Sequence, residues 1–170
     1  MNKKIMRFMI KIAIWIPVIL MAITIFGFSK QNGTESSGLS EKVAVYVIDI
    51  ADHVGVIHVD DSNRTIYIEK LQTPIRKGAH MSEYAVFGIL VFIALTVDGV
   101  RFKLRYCITI AGVFLFACTD EFHQLFVPGR SGKFTDVLID TCGCLIAMVV
   151  IQFIHHAVLR KKSKNQKGLA

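Results

Sequence analysis

Between residues 117 and 140 the chain reads ACTDEFHQLFVPGRSGKFTDVLID, and its ionisable side chains are set into apolar sequence. Asp120, Glu121, His123 and Gln124 follow the almost wholly apolar residues 108–118 and precede Leu125, Phe126 and Val127. Charge inside a hydrophobic run is costly in lipid, so by default it points to a function in a bundle interior. On a helix Asp120, His123 and Gln124 fall within about a third of a turn of one another, with Glu121 beside Gln124. A second polar segment, residues 76–84, puts Lys77, His80 and Tyr84 on one helical face with Glu83 at its edge. In a third, Asp136 and Asp140 lie one turn apart. Gly143 and Ala147 continue that stripe as a small-residue face that admits a close neighbour. Arg130 stands on the loop between, free to reach back over the others.

Three kinds of chemistry fit these residue types. In the structural one, Lys77 and Arg130 neutralise Asp120, Glu121 or Asp136 and fasten helices together. In the binding one, Lys77, His80, Glu83, Tyr84, Asp120, Glu121, His123, Gln124, Arg130 and Asp136 line a mixed-charge pocket, where Lys77 and Arg130 suit a carboxylate or phosphate. In the enzymatic one, His80 or His123 acts as general base beside a carboxylate, with Glu83, Asp120 and Glu121 as further catalytic candidates. A divalent metal held by His80, Glu83, Asp120 and His123 is a variant of this reading, but Glu-Phe-His is not a zinc spacing, so the sequence commits to no metal and to no cofactor.

These segments need elements to hold them, and the composition says which. The 170 residues are 53% hydrophobic, with a mean hydropathy of +0.50, which points to a single membrane domain over residues 1–170. The net charge of +7 does not imply a nucleic-acid partner, because the basic residues cluster beside apolar segments, where anionic headgroups and topology use them. Cys107, Cys118, Cys142 and Cys144 all lie in apolar segments, which argues against a disulfide framework and for small buried helix residues.

Taken in order, residues 8–28 form a first span, about 31 Å long as a helix and retained rather than cleaved. Residues 29–77 form an outer loop. Within it residues 29–40 are a connector, and residues 43–57 are an amphipathic helix whose apolar stripe is Val43, Val47, Ile50, Val54 and Ile57. A strand pair is the other option there, and residues 65–71 suit a short extended piece. Thr73 as N-cap and Pro74 at the first helical position start the next helix, with a second span at residues 78–97. Further spans are expected at 104–126 and at 136–159, the latter capped by Thr135, and residues 160–170 form a basic, frayed tail. His155-His156 ends the last span, and Trp15 serves packing or lipid contact.

Lys3, Lys4, Arg7 and Lys11 share one side of the membrane with Arg101, Lys103 and Arg105 and with the basic tail, against Asp98 alone. The long loop mixes acids and bases in near balance. The positive-inside rule therefore puts both termini in the cytoplasm and the polar segments at the outer face.

The motifs Lys77-x-x-His80-x-x-Glu83-Tyr84 and Thr119-Asp120-Glu121-x-His123-Gln124-x-x-Val127-Pro128-Gly129-Arg130, followed by Asp136, resemble the VanZ-like membrane protein family. Phe28-Ser29-Lys30-Gln31 resembles that family's early motif, and the likeness runs from about residue 10 to about residue 155. Asp140 departs from the pattern, where many relatives are expected to carry Asn. The resemblance implies a polytopic, usually bacterial protein whose namesake is linked to low-level teicoplanin resistance, and it supplies no reaction. The expectation is an all-α, four-transmembrane-helix bundle in the cytoplasmic membrane, multi-pass, with an amphipathic extracytoplasmic segment in the first loop. Its partners are the lipid bilayer and an anionic cell-envelope ligand, whether cell-wall precursor, lipid headgroup or glycopeptide. The alternatives are a membrane-embedded hydrolase or transferase acting on an envelope precursor, and a purely structural membrane protein.

Overall fold

A computed structural model of the chain describes residues 2–167, with side chains at all of these except residues 33–35 and 161–167. Among the described residues every regular element is an α-helix: α1 (Lys3–Ser29), α2 (Gly33–His53), α3 (Arg64–Val97), α4 (Phe102–Gln124) and α5 (Phe134–Lys167). Four of them are long and apolar enough to cross a membrane, namely α1, α3, α4 and, in α5, residues Phe134–Arg160. Asn2 caps α1 by accepting from the Lys4 N–H at 3.1 Å, which satisfies one of the donors that a helix start leaves open.

α3 is the hub, in contact with each of the other four helices. At 34 residues it is about 51 Å long, well beyond the thickness of a hydrocarbon core. Its first third therefore projects from the bundle, and α2 packs along it to form an antiparallel helical hairpin. The turn between them is held by Asp60, whose Oδ1 accepts from the Ser62 N–H and hydroxyl and from the Asn63 N–H. Those bonds hold the Asp60 pKa below its ordinary value. Arg64 pairs with Asp49 across the hairpin at 2.7 Å.

The hairpin differs from the sequence expectations in four respects. The connector is confined to residues 30–32, because α2 begins at Gly33. Residues 65–71 are helical rather than extended, and no strand occurs among the described residues. Thr73 and Pro74 do not start a helix; Pro74 lies well inside α3. An interior proline removes one helical hydrogen bond, but both residues are exposed here, so the freed carbonyl can meet water while α2 supports the turns before it. Finally, the face that α2 buries is Ser36, Ser40, Ala44 and Ile48, one residue per turn. The apolar residues Val43, Val47, Ile50 and Val54 face outward instead. Small side chains let α2 lie close to α3, and that closeness outweighs burying the larger residues.

Between the spanning helices packing decides the arrangement, since lipid is as apolar as a leucine side chain and offers no hydrophobic gain. α3 and α5 approach each other at backbone distance. Gly143 lies directly against the backbone carbonyl of Met81, and Gly88 faces Cys144, where an added Cβ would come within 2.7 Å of Sγ. The stripe of Asp140, Gly143 and Ala147 is thus buried against α3. Beneath the polar segments the aromatic rings of Phe26, Phe87 and Phe116 form a floor, with Phe116 centred 5.2 Å from Phe26 and 4.8 Å from Phe87. At the other end Trp15 does more than pack: its indole N–H donates to Asp98 Oδ2 at 3.0 Å and ties α1 to the α3–α4 turn.

Two smaller expectations change. All four cysteines are free, but only Cys144 is buried; Cys107 and Cys142 are exposed on the outside of the bundle. The basic tail continues α5 as helix to Lys167 rather than fraying at residue 160, and residues 168–170 lie outside the described residues.

Gly143→Ala should prevent the α3–α5 contact, because a Cβ there has no room beside the Met81 carbonyl. The expected loss is about 1–3 kcal/mol of stability, as for other overpacked sites, read as a lowered thermal midpoint in detergent. Gly112→Ala on α4, where a Cβ meets nothing within 4 Å, should leave the midpoint unchanged or raised. Equal effects from the two substitutions would contradict the packing account.

Candidate functional site

Helix direction brings the polar segments to one end of the bundle. α1 and α4 end there, α5 begins there, and α3 passes through it at residues 73–84. The result is a cleft of about 280 Å³. α3 contributes Thr73, Arg76, Lys77 and His80, and α4 contributes Glu121 and Gln124. α5 contributes Asp136, Ile139 and Asp140, and the α4–α5 loop contributes Gly129, Arg130, Ser131 and Lys133.

The loop is the part that must be shaped most tightly. α4 stops at Gln124, earlier than the residue 126 expected for the span. Gly129 takes a φ of +73°, a conformation that glycine adopts without a Cβ penalty. Gly132 then passes directly beneath the Glu121 backbone carbonyl, where a Cβ has no room. Glu121 Oε2 accepts from the Lys133 N–H at 2.9 Å. Lys133 caps α5, its carbonyl accepting from the Asp136 and Val137 N–H groups at 2.8 and 3.4 Å. α5 therefore starts at Phe134, directly after Lys133, and Thr135 lies inside its first turn rather than capping it. Glu121 thus sets the position of α5 relative to α4.

Arg130 folds back over α1. Its Nε donates to the Gln31 carbonyl at 3.1 Å and its Nη2 to the Phe28 carbonyl at 3.2 Å. The Phe28 carbonyl also accepts from the Gln31 N–H at 3.2 Å, so the guanidinium adds to the bonds that close the C-terminus of α1, where a cation also complements the helix dipole. Arg130 also lines the cleft. Burial and the nearby Arg76 lower the Arg130 pKa from its ordinary value, and the Asp120, Glu121 and Glu83 carboxylates oppose that shift. A guanidinium stays charged regardless.

The side chains form two layers. In the upper one Lys77 Nζ meets Asp136 Oδ1 at 3.1 Å. His80 Nδ1 lies 3.4 Å from Glu83 Oε2, an ion-pair distance without hydrogen-bond alignment, since that oxygen has no bonded partner. His80 is also within electrostatic reach of Asp140 and Arg130. The lower layer is closed: Asp120 is 1% exposed and Tyr84 0%. Gln124 Nε2 donates to Asp120 Oδ2 at 3.4 Å. Asp120 Oδ1, the Tyr84 hydroxyl and the Ser29 hydroxyl are buried without a bonded partner although the three groups lie beside one another. Unsatisfied buried polar atoms in such proximity are high in energy unless a proton or a ligand connects them.

The ten residues read from the sequence as a binding set do not all share one surface. Lys77, His80, Glu121, Gln124, Arg130 and Asp136 line the cleft. Glu83 contacts it through His80, and Tyr84 and Asp120 lie below it. His123 turns away: its ring meets Phe26 edge-on at 5.7 Å, and its Nδ1 is buried without a partner. As a result His80, Glu83, Asp120 and His123 do not surround one point, and among the described residues no group of three His, Cys, Asp or Glu side chains is placed to hold a metal ion.

The structure adds Arg76, Lys133, Ser29 and Gly132 to the site. Ser29 had a signal in the Phe-Ser-Lys-Gln motif after the first span. Arg76 and Lys133 flank motif residues but had no spacing signal of their own. The role of Gly132, defined by a contact with a backbone carbonyl eleven residues earlier in the chain, had none.

A search of curated proteins and a search of solved structures each found no match. The sequence model of the VanZ/LLP1 family matches residues 14–155, a stretch that contains every residue of the cleft, all of α3 and α4, and most of α1 and of the apolar part of α5. With most of its length matched and four helices suited to crossing a bilayer, this chain is a multi-pass membrane protein that belongs to the VanZ/LLP1 family.

Proposed function

We propose that the cleft binds an anionic ligand of the cell envelope at the extracytoplasmic face of the bacterial cytoplasmic membrane. The observation that carries this reading is the charge around the cleft. Arg76, Lys77, Arg130 and Lys133 on its lining outnumber the carboxylates Glu121, Asp136 and Asp140 there by one, and Asp136 is already engaged with Lys77. Positive charge is therefore left over for a phosphate or carboxylate, which Arg130 can meet with paired donors. About 280 Å³ is at the small end of ligand pockets. It fits the headgroup of a lipid-linked precursor, the end of a cell-wall peptide, or one end of a larger glycopeptide. In the last case binding would reduce the drug reaching its target, a route to teicoplanin resistance. The orientation rests on the basic residues at the opposite end of the bundle.

A second reading is a hydrolase or transferase acting on an envelope precursor. His80 supports it, because the Glu83 carboxylate lies 3.4 Å from the imidazole and Asp140 is within electrostatic reach of it. The cleft then presents the substrate's anionic group to His80.

Arg76→Gln should weaken binding of a lipid-linked cell-wall precursor about tenfold or more, corresponding to about 1.4 kcal/mol for a lost charge-assisted bond, with membrane abundance unchanged. Lys77→Gln should weaken binding as much but also lower abundance, because it leaves Asp136 without its partner. Arg130→Gln should reduce both, because it also releases the end of α1. If all three lower abundance in parallel and none changes affinity per folded molecule, the charges are structural only. His80→Asn separates the remaining readings: an enzyme loses turnover of the precursor and keeps affinity, whereas a binding protein shows no turnover even before substitution.

Orientation is tested in a background with Cys107, Cys118, Cys142 and Cys144 changed to Ala. Ser62→Cys should react with an impermeant maleimide added to intact cells, and Lys103→Cys should react only after permeabilisation. The reverse pattern would turn the cleft toward the cytoplasm and overturn the proposed ligand class.

A further inference from the structure

The end of the bundle opposite the polar cleft carries a second cavity, of different chemistry. It is about 390 Å³ in volume and opens sideways between α3, α4 and α5. Its wall is apolar, formed by Ile89, Phe92, Ile93, Val97, Phe102 and Ile151. Two polar side chains, Arg105 and His155, stand at its edge, beside Thr96. Ile93 and Val97 are 43% and 37% exposed on the outer surface of the bundle, so the cavity faces the hydrocarbon and is accessible to a chain entering from the bilayer.

The polar edge is only partly satisfied. Arg105 lies over two rings, its Cζ 5.2 Å from the centre of Phe92 and 5.1 Å from that of Phe102. One terminal nitrogen donates to the Thr96 hydroxyl, which in turn donates to the Phe92 carbonyl at 2.7 Å. Arg105 Nε is buried and has no partner. His155 stacks on Phe102 at 4.3 Å, and its Nδ1 is likewise buried without a partner. The acid nearest in sequence, Asp98, is committed elsewhere, to the Trp15 indole at 3.0 Å and to Lys11, whose ammonium donates to the Asp98 carbonyl at 3.1 Å. Arg105 also lies in the first turn of α4, whose N-cap Arg101 makes no side-chain capping bond. The local field is therefore positive from both side chain and helix end. A guanidinium held in place by aromatic rings, with an unused donor beside an apolar slot, is complementary to a molecule with an anionic head and a hydrocarbon tail.

We propose that this cavity is a binding site for an anionic phospholipid of the leaflet that meets this end of the bundle, with the phosphate on Arg105 and His155 and one acyl chain along Ile89, Ile93, Val97 and Ile151. The bound lipid satisfies Arg105 Nε and His155 Nδ1, and its chain fills a space that the helices leave open. A zwitterionic lipid with the same tails binds less well, because its ammonium group meets a positively charged rim. The site is distinct in place and chemistry from the polar cleft and does not depend on what the cleft binds.

The test uses the full chain purified in a non-ionic detergent, with retained lipid counted by mass spectrometry. Dioleoyl phosphatidylglycerol, dioleoyl phosphatidylcholine and inorganic phosphate are titrated separately. The expected result is one phosphatidylglycerol retained at a concentration at least tenfold lower than phosphatidylcholine, with no competition from millimolar phosphate. Arg105→Gln should bring phosphatidylglycerol down to the phosphatidylcholine level. Val97→Trp, which fills the slot from an exposed position and keeps the arginine, should do the same. That second variant covers the case in which loss of Arg105 disturbs the Phe92–Phe102 cluster. Equal retention of the two lipids, or phosphatidylglycerol binding unchanged in Val97→Trp, overturns the proposal. Competition by inorganic phosphate overturns the amphiphile assignment, because it would identify a site for the anion alone.

Discussion

The contact of Gly143 with the Met81 carbonyl is the constraint on which the site depends. It brings α5 against α3 at backbone distance, and that distance decides which side chains meet one turn above. Lys77 then reaches Asp136 at 3.1 Å, and Asp140 comes to lie beside His80. With a larger residue at position 143 the helices separate, and the charges lose the partners that make their burial tolerable. In a bilayer such a loss is not offset by water, so packing of small residues and pairing of charges succeed or fail together.

The α4–α5 loop completes the site by a different device. Glu121 holds the start of α5 through the Lys133 N–H, and Arg130 holds the end of α1 through two backbone carbonyls. Both residues also line the cleft. The same side chains therefore fasten three helices and present charge to a ligand, so structure and recognition cannot be separated by deleting either one. Arg76, on the same cleft but with no such fastening role assigned to it, is the better probe of recognition.

The two ends of the bundle illustrate how a membrane fold divides its chemistry. The cleft end gathers carboxylates, a histidine and several cations around a polar space, whereas the other end has a cation held by aromatic rings beside an apolar slot. Trp15 and Lys11 from α1 engage Asp98 at that second end, which leaves Arg105 as a positive charge without an acidic counterpart in the same turn. The long hairpin of α2 and α3 adds a surface that projects past the bundle, and its outward apolar face is unlike that of a helix docked by its hydrophobic stripe.

Much of the fold was legible in the residue order, because hydrocarbon imposes a length and an apolarity that local sequence must meet by itself. The spans, the small-residue stripe of Asp140, Gly143 and Ala147, and the clustering of ionisable residues near span ends all follow from that demand, while the family was legible separately, in the resemblance of its motifs. What depends on distant contacts was not legible. A Thr-Pro pair reads locally as a helix start, and only the support of α2 lets α3 run through it. The apolar stripe of α2 reads as an inward face, and only the close fit of Ser40 and Ala44 on α3 turns it outward. His123 reads as a companion of His80, yet the rotation of α4 against α1 sends it to Phe26. Sequence alone determined that charge would be buried near the end of a four-span bundle, since each apolar helix must satisfy its own backbone in lipid. Tertiary structure alone decided which charges face one another, because that depends on how closely α3, α4 and α5 pack and at what rotation, quantities set by glycines whose contacts lie far along the chain.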